Sequence, residues 1–195
     1  MKVEIFMSLI LTTPPAVEPV SLVEAKAHLR VPHADDDAYV TNLISAARRL
    51  VEQRSGLRLI NQGWSLFLDC WPDSPVQSLG LFPVSAIADV IIYSDADVAA
   101  TYDPAHYFLD AASKPARMAL RSGRLPPRGS RPANGIEIRF TSGFGSAGSA
   151  VPQDLRQAML VIIAHWFQNR GDAEAHVPPL PALEIIGTYR VMRLQ

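Results

Sequence analysis

The spacing of apolar positions along the chain changes character as it runs from helical to strand-like and back. Ser21-Leu22-Val23-Glu24 has the form of a capping box, in which the serine hydroxyl accepts the N3 amide and Glu24 reaches back to the cap. Leu22, Ala25 and Leu29 follow at helical spacing, and Pro32 ends a predicted helix of about two to three turns. Tyr39, Val40, Leu43, Ile44, Ala47, Leu50 and Val51 then form an i, i+3, i+4, i+7 stripe, opened by Asp35-Asp36-Asp37 and stopped at Gly56. One aspartate is expected to cap this second helix while the others favour the positive end of its dipole. Three consecutive helical residues point in different directions, so the triplet reads as a cap rather than a metal site.

From Asn61 to Thr141 the period becomes strand-like. Trp64–Asp69 and Ile136–Thr141 fit strands, the second alternating cleanly, and Asp89–Tyr93, Tyr107–Leu109 and Arg117–Leu120 read as further short strands. Pro152 is a good first helical residue, and Leu155, Ala158, Met159, Ile162, Ile163, Trp166 and Phe167 continue a third helix that Gly171 stops. A proline loop leads to a last helix from Ala182 to about Arg193. Thr13-Pro14-Pro15 and Pro19 keep the start of the chain extended, as an arm of the kind that lies on a neighbour. The expected fold class is therefore α+β: a mainly helical core of about four helices, with a small antiparallel β region inserted between helices 2 and 3. In domain terms, residues 1–60 supply the arm and two helices, 61–148 the β-rich insertion, and 149–195 the two helices that complete the core.

Composition narrows the function classes. The chain has 195 residues, 48% hydrophobic and 19% charged, with a formal net charge of −1, enough apolar content for a packed core and too little excess charge for a dedicated nucleic-acid binder. A surface so poorly charged suits contact with partners. Cys70 is the single cysteine, which excludes an internal disulfide and a CxxC metal or redox motif and fits synthesis in a reducing cytoplasm. The opening MKVEIFMSLIL is interrupted by Glu4 and lacks a small-residue cleavage site, so it is not read as a signal peptide, and Met7 is as consistent a start as Met1. No stretch approaches the roughly 20 apolar residues of a membrane span.

Candidate chemistry is sparse. Gly143-Phe144-Gly145-Ser146-Ala147-Gly148 matches GxGxxG after a strand and before a helix, the context of a dinucleotide site. Pro152, however, sets the helix start beyond the last glycine, and no second parallel strand follows, so a turn from sheet to helix is the plainer reading. His28, His33, His106, His165 and His176 form no close ligand pair, and Ser142 lacks the preceding glycine of a nucleophile elbow. No catalytic residue, cofactor or metal site is expected. Lys114, Arg117, Arg121, Arg124, Arg128 and Arg131 lie in one acid-free segment, a candidate for contact with DNA phosphates in a channel or with an acidic partner, and otherwise a solvated basic loop.

Taken in order, Leu11-Thr-Thr-Pro-Pro15, Pro19-Val-Ser-Leu-Val-Glu-Ala-Lys-Ala-His-Leu-Arg30 and Asp35-Asp36-Asp37 resemble the head–tail connector (adaptor) proteins of long-tailed phages, prophages and gene transfer agents. Ile44-Ser-Ala-Ala-Arg-Arg-Leu-Val-Glu-Gln-Arg-Ser-Gly56, Val151-Pro-Gln-Asp-Leu-Arg-Gln-Ala158 and His165-Trp166 continue the likeness, which looks closest to the branch with a β insertion. The resemblance implies a structural protein made in a bacterial host and built into the neck of a virion or virus-like particle. Its copies, typically twelve, would form a ring beneath the portal protein, extend the DNA channel and receive a stopper or tail-terminator protein. Double-stranded DNA would pass through without specific binding, and no membrane would be involved. It further implies portal contact through the C-terminal segment, with Tyr189, Arg190, Met192, Arg193 and Leu194 as the candidates. The alternative from another class is a nucleic-acid-binding accessory protein using the basic loop 114–131, and a third is a nucleotide-dependent enzyme using Gly143–Gly148.

Overall fold

The structure is a computed structural model that describes residues 7–121, 131–170 and 177–190. The chain forms two compact units, one from Met1–Pro14 and Asn61–Gly143, the other from Pro15–Ile60 and Phe144–Gln195.

Among the described residues the first unit holds eight strands: β1 (Met7–Thr13), β2 (Gln62–Leu68), β3 (Val76–Ser78), β4 (Val84–Tyr93), β5 (Ala99–Thr101), β6 (Tyr107–Asp110), β7 (Arg117–Leu120) and β8 (Ile136–Ser142). They form a five-stranded sheet in the order β1-β2-β8-β4-β5 and a three-stranded sheet in the order β3-β7-β6, with every pairing antiparallel. Register explains the core. Trp64, Leu66 and Leu68 of β2 stand opposite Phe140, Ile138 and Ile136 of β8, which stand in turn opposite Ile87, Val90 and Ile92 of β4. These ladders share one face because side chains two apart along a strand point the same way, and in β4 the register shift between Ile87 and Asp89 keeps Ile87 on the side of Val90 and Ile92. Tyr107 and Met118 of the smaller sheet, with Leu79, Leu81 and Ala116 from its connections, join them in one buried cluster. Burying each large member is worth about 1.5–3 kcal/mol, so this cluster is the main support of the unit.

The second unit contains α1 (Leu22–Leu29), α2 (Asp37–Ser55), α3 (Gln153–Gln168) and α4 (Leu180–Thr188). The predicted stripe of α2 is its buried face: Val40, Leu43, Ile44, Ala47 and Val51 are all inside. Leu155, Ala158, Met159, Ile162 and Ile163 of α3 and Ala182 and Ile186 of α4 complete the core. Gly56 closes α2 at φ 78°, a left-handed geometry that only glycine takes without strain. Ser21 accepts the Glu24 amide at 3.2 Å, whereas the Glu24 carboxylate accepts two bonds from Arg156, at 2.7 and 2.8 Å. Asp36 precedes α2 without a side-chain cap, its carboxylate taken by Arg170 at 2.8 Å beneath the rings of Tyr39 and Phe167. Arg48 donates to Glu18 at 2.7 Å and to Glu52 at 3.1 Å, and Glu52 also accepts the Leu59 amide.

The expected fold class needs correction. The protein is a mixed α+β structure: the described residues form eight strands in two antiparallel sheets and four α-helices, not a mainly helical core with a small β insertion. Three strands account for the difference. Residues 7–13, expected as part of an extended arm, are β1, paired with β2. β3 and β5 have three residues each, too short for alternation to register against background. The last helix also ends earlier, at Thr188.

Candidate interaction surfaces

The basic segment from Lys114 to Arg131 carries six cations and no acid. Arg124 and Arg128 lie outside the described residues. Of the other four, Arg117 makes two bonds to Asp110, at 3.0 and 2.6 Å, and Arg131 meets Asp97 at 3.4 Å while lying 5.3 Å from the centre of the Tyr93 ring. Lys114 sits 4.8 Å from the centre of the Phe82 ring, and Arg121 is 5.5 Å from that of Phe108. The segment is thus not a row of bare cations: two of its arginines face carboxylates from elsewhere in the same unit. Hydrogen bonds from Ser113 and then Arg117 hold the Asp110 carboxyl at about 2, below its ordinary 3.8. A depressed carboxyl stabilises the fold fully above its unfolded pKa, and that contribution fades as pH falls from near 4 toward 2. An NMR titration of Arg117→Gln is expected to move the Asp110 midpoint part of the way back toward 3.8. At neutral pH the melting temperature is expected to stay nearly constant, because exposed pairs contribute little.

A second polar group lies on the face of the five-stranded sheet opposite the core. Glu137 is buried and accepts bonds from Ser65 at 2.7 Å, Tyr93 at 2.7 Å and Arg139 at 2.8 and 3.0 Å. Burial pushes its carboxyl up, but the bonds from Arg139, Ser65 and Tyr93 together outweigh it and leave the pKa lowered. The cluster ties β2, β4 and β8 together with its hydrogen bonds internally satisfied, which is the arrangement of a structural tie rather than of a reactive acid.

The C-terminal candidates divide. The Tyr189 hydroxyl donates to the Asp154 carboxylate, 2.8 Å from both oxygens, anchoring the end of α4 to the first turn of α3. Burial and that bond raise its pKa. Arg190 is exposed, and Met192, Arg193 and Leu194 lie outside the described residues.

The glycine motif serves packing. A Cβ at Gly145 would lie 2.6 Å from Cβ of Ala150, and one at Gly148 would lie 2.6 Å from the Pro19 carbonyl. α3 begins only at Gln153, so the glycines do not place its free amides around a pyrophosphate. Among the described residues no group of three or more His, Cys, Asp or Glu is placed to hold a metal, and no helix is long and apolar enough to cross a membrane.

One surface was missed in the sequence. All seven residues of β1 are exposed, including Met7, Leu9, Ile10 and Leu11. Its signal is the uncharged run Met7-Ser-Leu-Ile-Leu11, which neither the signal-peptide test nor the extended-arm reading assigns to a strand.

The family described as "Phage gp6-like head-tail connector protein" matches residues 19–97, which span α1, α2 and the first strands after them. Solved structures resemble nearly the entire chain. A component of the "Neck of empty GTA particle computed with C6 symmetry" is 26% identical with a TM-score of 0.84, covering 96% of this chain and 97% of that one. One in the "Virion of native gene transfer agent (GTA) particle" is also 26% identical, with a TM-score of 0.82 and the same coverage. One in the "Neck of native GTA particle computed with C12 symmetry" has a TM-score of 0.79 at 26% identity, covering 95% of this chain and 97% of that one. No curated protein matches the chain. The matched segment resembles the head–tail connector family, and over its whole length the chain is similar to components of gene transfer agent necks.

Proposed function

We propose that this protein is a structural adaptor in the neck of a gene transfer agent or phage-like particle, where copies form a ring beneath the portal. The observation that carries this reading is the likeness over 97% of a chain from such a neck, with a TM-score of 0.84. Both units therefore have counterparts there, not the helical one alone. The copies line a passage for double-stranded DNA and present their far side to a stopper or tail-terminator protein. A formal net charge of −1 suits a wall past which DNA must slide, since each phosphate held tightly would resist its passage. The role is structural rather than catalytic. A nucleic-acid accessory function is less well supported, because Arg117 and Arg131 already face carboxylates.

Portal docking is assigned to the chain beyond α4, from Arg190 through Met192, Arg193 and Leu194, with Tyr189 as the anchor from which it leaves. Deleting 182–195 would be a blunt test, because Ala182 and Ile186 are buried in the helical core. Ending the chain after Arg190 avoids that. The truncated protein is expected to melt within about 2 °C of the full chain, because the buried Ala182 and Ile186 are kept. It is also expected to lose ring formation on purified portal particles in negative-stain images. Unchanged docking would overturn the assignment of this segment.

A further inference from the structure

β1 is a terminal strand of its sheet: it pairs with β2 on one side, and no described strand pairs with the other. Its exposed apolar groups lie on both faces. Register puts Met7, Leu9 and Leu11 on the side of Leu68, Leu66 and Trp64, and Ile10 on the side of Ser65. Met7 is 60% exposed and Ile10 50%. Natural sheet edges are usually guarded by a charge, a proline or a bulge. Met7–Leu11 has neither charge nor proline, and the register shift in the β1–β2 pair comes only between Leu11 and Thr13. Packing on a flat surface would cover one face of such a strand. Addition of a further strand satisfies its free amides and carbonyls and brings neighbours to both faces.

The flanks of this unit differ. The Gln77 side chain of β3 lies 3.6 Å from the Met7 sulfur, and Gly80 would place a Cβ 3.9 Å from Leu9, so β1 and β3 edge the same flank. On the opposite flank Tyr102, next to β5, stacks on Tyr107 of β6 at 6.0 Å. β5 is the other terminal strand of the five-stranded sheet, and its Ala99-Ala100-Thr101 is uncharged and fully exposed. Val98 beside it is 63% exposed. Among the described strands, one molecule thus carries two dissimilar, uncharged edges on the same sheet.

A ring with the portal on one side and the tail on the other has only its rotation axis as symmetry. Self-pairing of β1 with β1 needs a two-fold axis, which such a ring lacks, so β1 must meet a different surface of the next copy. Resting on the ring reading above, we propose that β1 of each copy adds to the β5 edge of its neighbour, carrying the five-stranded sheet across the subunit boundary. The occupant of the β1 edge is therefore a second copy of this chain.

Cross-linking in assembled particles tests this. Exposed Cys70 is first replaced by serine, and Ile10→Cys and Ala100→Cys are introduced singly and together. After treatment of particles with a short bismaleimide, the double variant is expected to give a ladder of covalent multimers that neither single variant gives. Necks that contain the ring but yield no ladder, or a cysteine at position 10 that links only to another protein, would overturn the edge pairing and leave the neck role standing. Absence of the Cys70→Ser protein from necks would overturn both. Ile10→Lys provides a second readout: a tenfold or greater loss from particles with an unchanged melting temperature supports the pairing, and undiminished incorporation overturns it.

Discussion

Phe140→Ala is expected to cost about 3–5 kcal/mol and to unfold the β unit well below the melting temperature of the native chain. Phe140 is 2% exposed in β8, the strand with β2 on one side and β4 on the other, and its ring lies on the core ladder between Trp64 and Ile87. Truncation there leaves a cavity between paired strands that hydrogen bonds hold in register, so neighbouring side chains have little room to close it. In a domain of about 100 residues each kcal/mol moves the midpoint by about 4–8 °C, which predicts a fall of at least about 12 °C. Calorimetry of the full chain is the measurement. Because the helical unit has a core of its own, its transition is expected to move far less. A fall of less than about 4 °C would mean that the sheet repacks freely around position 140.

Arg48→Met is the second large effect, in the helical unit. It removes the cation between Glu18 and Glu52 while their carboxylates stay near each other, and Glu52 is only 6% exposed. Breaking a buried pair from one side costs about 3–5 kcal/mol, since the remaining charge keeps its desolvation penalty and loses one of its partners. Glu52 also feels the charge of Arg58, whose pKa burial lowers, and this places the expected loss near the lower end, about 3 kcal/mol. Urea unfolding of Arg48→Met, compared with Glu18→Gln, Arg48→Met, Glu52→Gln in one chain, separates charge from packing. The triple variant is expected to recover more than half of the loss. If Arg48→Met alone costs under about 1 kcal/mol, the triad behaves as a solvated surface cluster.

What the sequence disclosed follows from how local each signal was. The α2 stripe and its Gly56 stop were legible because helix periodicity and a left-handed cap are written within a few residues. β8 was legible because one face meets the core and the other does not, which makes its residues alternate. β1 carries no such contrast: with all seven residues exposed, nothing in its pattern distinguishes one face from the other. The basic segment misled for a related reason. The carboxylates beside Arg131 and Arg117 belong to Asp97 and Asp110, which precede the segment and approach it only once β4–β7 have formed. The Glu137 cluster was equally hidden, since Ser65 and Glu137 meet across 72 positions of chain. The family resemblance reached further than these residue-level signals, because it read order over the whole chain where they read one turn or one strand.

The order of synthesis gives β1 another meaning. Among the described strands it comes first in chain order, and its partner β2 follows only after both α1 and α2. With about 50 residues between them and about 5–20 residues added per second, β1 waits roughly 3–10 seconds for β2 to follow it. During that interval an uncharged Met-Ser-Leu-Ile-Leu segment is open to chaperones and to neighbouring nascent chains. Yield in the cell is therefore governed partly by translation speed across residues 14–61, and slower codons there are expected to lengthen the exposure without changing a single contact in the finished protein.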